Sequence, residues 1–143
     1  MRACLLALAA SVLLAAAAPV AAGPMSSSWV TVRSSAYGRI LFDGRGRALY
    51  AFTRDRRGPS ACYGACAKAW PPYVAHGAVH AGRGVHGGLL GTVVRRGGAR
   101  QVTYGGRPLY YYAGDARGEV RCQNVSEYGG VWLVVRATGR LVR

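Results

Sequence analysis

The sequence predicts a mainly β fold: two related antiparallel β-hairpin repeats in one small domain, with room for one short helix. Three observations predict it. The apolar segments beyond the N-terminal stretch are short and separated by glycine-containing turns, as strands are. None of them sustains a helical period. A stretch of the first half also returns without gaps in the second. A chain of 143 residues normally holds a single core, which excludes large multi-step enzymes.

The elements follow in order. Leu5 to Ala22 is nearly all Ala, Leu and Val after Arg2, with small residues before Gly23, so residues 1–22 read as a secretory signal. No later apolar run approaches bilayer length, which excludes a transmembrane transporter. A lipid anchor would call for a cysteine directly after the apolar stretch, whereas Cys4 precedes it, so a soluble exported protein is expected, secreted or held in the periplasm or cell envelope. Residues 23–35 are rich in Ser and Gly around Trp29-Val30-Thr31-Val32 and read as a flexible tether that runs into a strand.

Residues 36–143 are then the β domain. Arg39 to Phe42, the turn Asp43-Gly44-Arg45-Gly46 and Arg47 to Thr53 form a predicted hairpin, with glycine supplying the positive φ that such turns require. Tyr63 to Ala69 is the one helical candidate, stopped by Pro71 and Pro72. From His76 to Gly98 the chain is Gly- and His-rich around a strand candidate, Leu89 to Val94, and reads as a connector between repeats at about 36–75 and 96–136. Gln101 to Tyr104, Gly105-Gly106 and Arg107 to Tyr112 repeat the hairpin. Val131 to Val135 is short and continuous enough for a buried strand. The expected core is Leu41, Leu49, Phe52, Trp70, Leu109, Tyr112, Trp132 and Val134.

A shift of 60 residues lays Gly46-Arg47-Ala48-Leu49-Tyr50 on Gly106-Arg107-Pro108-Leu109-Tyr110, Phe52 on Tyr112, Asp55 on Asp115, and Cys62 on Cys122. Each repeat thus carries an aromatic pair, Tyr50 with Phe52 and Tyr110 with Tyr112, on one face of a strand and an aspartate just past its end. The plainest role for that aspartate is a clip that accepts N–H groups of the following turn, or the hydroxyl of the tyrosine five residues back if the chain doubles over. Acid–base catalysis would need Asp55 and Asp115 to face one cleft, and no catalytic residue is assigned.

Both copies fit Tyr-x-(Phe/Trp/Tyr)-x-x-Asp, and Cys62-Tyr63-Gly64-Ala65-Cys66 leads into Ala69-Trp70-Pro71-Pro72. In these motifs the chain resembles the bacterial "secreted repeat of unknown function" family of exported proteins and lipoproteins, over about Ser35 to Arg136. The resemblance implies export and a tandem repeat, and carries no activity, cofactor or partner. The chain departs from it in lacking the anchoring cysteine and in having Cys122.

In an exported chain Cys62 and Cys66 are disulfide candidates, and the resemblance points the same way. The repeat register offers a rival, Cys62 with Cys122, which closes a longer loop and stabilises more; otherwise Cys122 is a free thiol. His76, His80 and His86 with Cys62 and Cys66 match no zinc spacing, so no metal and no cofactor is assigned, although a small redox or metal-binding protein using Cys62, Cys66, Cys122 and these histidines is the alternative function. Asn124-Val125-Ser126 matches a glycosylation acceptor, a match without meaning if the chain is bacterial, as the resemblance implies.

The 19 basic against 5 acidic side chains give a formal charge of +14, or +13 without the first 22 residues. Such a field concentrates anionic polymers and membrane surfaces. Arg54, Arg56 and Arg57 are the densest cluster and the anion-binding candidate, and no motif of sequence-specific nucleic-acid readout is present. The expectation is a non-enzymatic exported repeat protein that binds anionic or saccharide components of the envelope.

Overall fold

The computed structural model describes residues 27–143. The signal segment expected over 1–22 and the first residues of the tether lie outside them. Within them the chain is mainly β. Strands β1 (Ser28–Ser35), β2 (Gly38–Asp43) and β4 (Val79–Ala81) form one sheet in the order β2-β1-β4. Strands β5 (Leu90–Val94), β6 (Arg100–Tyr104) and β7 (Arg107–Pro108) form a second in that order. Strands β3 (Tyr50–Phe52), β9 (Gly130–Val134) and β8 (Val125–Glu127) form the third. One helix, α1 (Ala65–Ala69), is closed where the Trp70 N–H reaches the Cys66 carbonyl and Pro71 follows.

Residues 28–35, expected as tether, are a strand. Val30 and Val32 point inward while Trp29 and Arg33 point outward, and the backbone is taken up on both edges, by β2 antiparallel and by β4 parallel. The alternating patch Trp29-Val30-Thr31-Val32, into which the tether was expected to run as a strand, is the middle of a longer strand that takes in the serines on either side. In the same way the Gly- and His-rich connector contributes β4 and β5, and β5 pairs with β6 over Leu90↔Tyr104 to Val94↔Arg100. It opens the second unit as β1 opens the first.

Both predicted hairpins form, each as the inner half of a three-stranded unit. In the first, Leu49 N–H bonds Leu41 O; in the second, Leu109 N–H bonds Val102 O. The two-residue turn between β6 and β7 has Gly105 and Gly106 at φ 58° and 76°, the positive pair that such a turn demands.

The two units face each other across a local two-fold axis. At its centre Tyr50 and Tyr110 exchange both backbone hydrogen bonds, each 2.9 Å, as one antiparallel pair. Outward from the axis the contacts recur in pairs. Leu41 N–H bonds Val135 O and Val102 N–H bonds Tyr73 O, both at 2.8 Å. The bridge Ile40↔Arg136 is matched by Val74↔Gln101.

Alternation along the central strands sorts the core into two clusters. Ile40, Phe42, Tyr50 and Phe52 join Trp70, Tyr110, Trp132 and Val134 on one side. Leu41, Leu49 and Ala51 join Tyr73, Val102, Tyr104 and Leu109 on the other. In the first cluster four rings pack in series: Tyr112 tilted against Trp70 at 4.9 Å, Trp70 stacked on Trp132 at 4.1 Å, and Trp132 stacked on Phe52 at 4.1 Å. Of the expected core only Tyr112 is not buried, because it closes the open end of this stack. Gly130 is needed here, since a Cβ on it would lie 2.5 Å from the Phe52 ring.

Candidate functional site

The repeated tyrosines and aspartates meet, but not within their own repeats. The Tyr50 hydroxyl donates to Asp115 Oδ2 and the Tyr110 hydroxyl donates to Asp55 Oδ2, each at 2.6 Å. The other carboxylate oxygen of each aspartate accepts the N–H six residues on: Ala61 to Asp55 at 2.7 Å and Arg121 to Asp115 at 3.0 Å. The turn-capping half of the expected clip is therefore local, while the tyrosine half is exchanged between repeats. The correction has a geometric cause. The Tyr50–Tyr110 backbone pair sets the two strands antiparallel, so each strand end carrying an aspartate lies beside the other repeat.

Burial, and after it the bond to the aspartate, pushes the Tyr50 and Tyr110 hydroxyls well above their ordinary range. Burial likewise raises Asp55 against the opposing pull of Tyr110, Ala61 and Arg95. Around Tyr110 the network continues inward. Its hydroxyl also meets Ser60 Oγ at 2.6 Å, and the buried Arg95 guanidinium donates to Ser60 Oγ, Gln101 Oε1 and the Cys62 carbonyl, each at 2.7 Å. Every member has protein partners, so this is a satisfied structural network. Phe52 and Tyr112 belong to the ring stack.

Cys62 and Cys66 are bonded to each other, with Cα atoms 5.3 Å apart, which answers the rival pairing with Cys122. Cys122 is a free, half-buried thiol packed against the first core cluster. The histidines lie apart in their roles. The His76 N–H bonds Ser28 Oγ, the His86 N–H bonds the Tyr104 hydroxyl, and the His80 ring stacks on Trp29 at 4.7 Å. Among the described residues no three His, Cys, Asp or Glu side chains converge as metal ligands would.

The arginine cluster separates. Arg54 reaches back to the Tyr128 carbonyl at 3.0 Å, whereas Arg57 turns into a groove of about 1210 Å³ that Arg107, Arg136, Arg140 and Arg143 also line, with no aspartate or glutamate among them. Partial burial and the charges of Arg57 and Arg143 hold Arg107 below its ordinary range, which marks crowding of like charge. The acids that might have neutralised these cations face elsewhere. All three aspartates are buried and each accepts a tyrosine hydroxyl, Asp43 from Tyr111 at 3.0 Å. The single ion pair among the described residues, Arg121 with Glu119, is on the surface.

Sequence reasoning found Arg57 and missed the rest. Arg107 was visible as the partner of Arg47 in the repeat register. Arg136, Arg140 and Arg143 were visible as three cations around the last turn without an acid beside them.

A second cleft, also of about 1210 Å³, lies at the equivalent place on the first unit. Arg47 takes the place of Arg107, Val74 that of Arg136, and His76-Gly77 that of Thr138-Gly139. This cleft is walled by aromatic side chains, Trp29, Tyr73 and Tyr111. No helix among the described residues is long and apolar enough to cross a membrane.

A family model described as "secreted repeat of unknown function" matches the chain twice, over residues 31–73 and 91–136. The matches begin inside β1 and inside β5, so each contains one of the two hairpins. No curated protein and no solved structure matches the chain.

Proposed function

The chain belongs to the family of secreted repeats of unknown function, and from that premise we propose that this member is a non-enzymatic exported scaffold whose arginine groove holds an anionic polymer of the cell envelope. One observation carries the reading: five guanidinium groups line one groove with no acidic side chain opposite them. Guanidinium forks pair bidentately with phosphate and are weakly hydrated, so a row of them favours a repeating phosphate chain. A ligand of that kind relieves the repulsion among Arg57, Arg107 and Arg143.

The scaffold part of the reading rests on the network around the repeated motif. Asp55 and Asp115 are buried and engaged by tyrosine hydroxyls and turn N–H groups, which supports a structural use of both.

The test is retention on immobilised polyphosphate. Affinity is expected to fall linearly in log–log form with salt. Arg57→Gln with Arg107→Gln is expected to weaken retention at least about tenfold, against about twofold or less for Arg83→Gln with Arg117→Gln, exposed arginines outside the groove. Equal losses in the two double variants would reduce the effect to net charge and overturn the assignment of the groove.

A further inference from the structure

The arginine groove and the aromatic cleft occupy equivalent places on two copies of one unit, and their linings have diverged in opposite directions. Where the second unit has Arg136, the first has Val74; where the second has Leu89, the first has Trp29. The first unit keeps Arg47 and adds Arg45, has no counterpart of Arg136, and presents rings at the same address. We infer that the cleft beside Trp29 is a second binding site, for a sugar ring.

The chemistry that recognises a pyranose is a flat aromatic surface for its C–H face together with polar groups at the edge for its hydroxyls. Trp29 supplies the surface. Its side chain is 43% exposed, whereas Trp70 and Trp132 are fully buried. It is also held in place. The Trp29 carbonyl accepts the Tyr73 hydroxyl and the Gly44 N–H, both at 2.9 Å, the indole N–H donates to Ser27 Oγ at 3.0 Å, and the ring stacks on His80. A ring fixed before binding loses little conformational entropy on binding.

Thr31, Arg45 and His76 provide polar groups in the same lining. Asp43 lies there too, but its Oδ1 accepts the N–H groups of Arg45 and Arg47 and its Oδ2 accepts the Tyr111 hydroxyl. A carboxylate so engaged shapes the wall and has no free role as acid or base, so the cleft binds a sugar without cleaving it. The site does not depend on the groove, and the two fail separately.

The probes are soluble tetrasaccharides of glucose and of N-acetylglucosamine, titrated into the mature protein and followed by tryptophan emission, to which Trp29 alone contributes a solvent-facing ring. One of them is expected to shift that emission saturably. Trp29→Ala is expected to abolish the binding, measured by calorimetry, and Trp29→Phe to keep it within about threefold, with cooperative thermal unfolding retained in both because the buried Val30 and Val32 face of β1 is untouched. Polyphosphate retention should be unaltered in both variants, and Arg107→Gln should leave sugar binding intact. Absence of binding by either tetrasaccharide at millimolar concentration, or binding that survives Trp29→Ala, would overturn the inference without touching the arginine groove. Retention on polyphosphate lost in Trp29→Ala would show the two clefts to be one site, and would overturn it equally.

Discussion

The exchange of tyrosines between repeats makes a prediction that a clip within each repeat does not. Tyr50→Phe removes one 2.6 Å hydrogen bond to a carboxylate and leaves Asp115 Oδ2 buried without that donor, a cost of about 1.5 to 3 kcal/mol. Asp115→Ala removes the same bond and also the acceptor of the Arg121 N–H, which is part-buried and partly recovered by water, so about 2 to 4 kcal/mol is expected. Because one interaction is counted in both variants, the double variant should cost less than the sum by about 1.5 to 3 kcal/mol. The cross pair, Tyr50→Phe with Asp55→Ala, shares no hydrogen bond and should add to within about 0.5 kcal/mol. Urea unfolding of the six proteins, followed by near-ultraviolet circular dichroism, measures both couplings. Coupling found between Tyr50 and Asp55, and absent between Tyr50 and Asp115, would refute the exchanged arrangement and the two-fold axis with it.

The other predictions concern stability at different points of the same core. Trp70→Ala opens the middle of the four-ring stack and should cost about 3 to 5 kcal/mol in chemical denaturation. Replacing Cys62 and Cys66 by serine should lower stability by only about 2 kcal/mol, because the bridge closes a five-residue loop, and the variant should still melt cooperatively. Cys122→Ser at its half-buried place should change stability by less than about 1 kcal/mol. Tyr50, Tyr73, Tyr110 and Tyr111 are all held above the ordinary tyrosine value of 10.0, chiefly by burial, Tyr73 at about 12. The folded state keeps these protons where the unfolded chain releases them. The stability they contribute is therefore complete below pH 10 and is lost as pH rises from 10 past 12, so tyrosinate absorbance from these four should appear only with unfolding.

Much of this fold was legible in the chain because local rules and global structure agree. Gly105-Gly106 specified its turn, Pro71 stopped α1, and the register of Tyr50 on Tyr110 gave the repeat. What local pattern could not show was pairing at a distance. Nothing in Tyr50 to Asp55 says that the aspartate's partner lies in the other copy, since that follows from the antiparallel Tyr50–Tyr110 pair. The arginine groove was half visible for a similar reason. Arg57 and Arg143 are far apart in sequence and meet only because the last turn folds beside the second hairpin. The alternation of Trp29 with Val30 and Val32 marked the strand at the end of the tether, while its extension to Ser28 and Ser35 depends on the partners β2 and β4, which no local pattern shows.

The reciprocal bonds of Tyr50 with Asp115 and Tyr110 with Asp55 bear on how such a protein can come into being. A single unit standing alone would have a buried tyrosine hydroxyl without an acceptor, an aspartate oxygen without a donor, and a strand edge without its backbone partner. Two identical units facing one another would satisfy all three at once, since the same patch serves on both sides, as in any symmetric homodimer. Joining the units in one chain turns that encounter into an intramolecular event that no longer depends on concentration. It also frees each copy to change without the other, and the two equivalent clefts differ accordingly, one lined by arginines and one by aromatic rings.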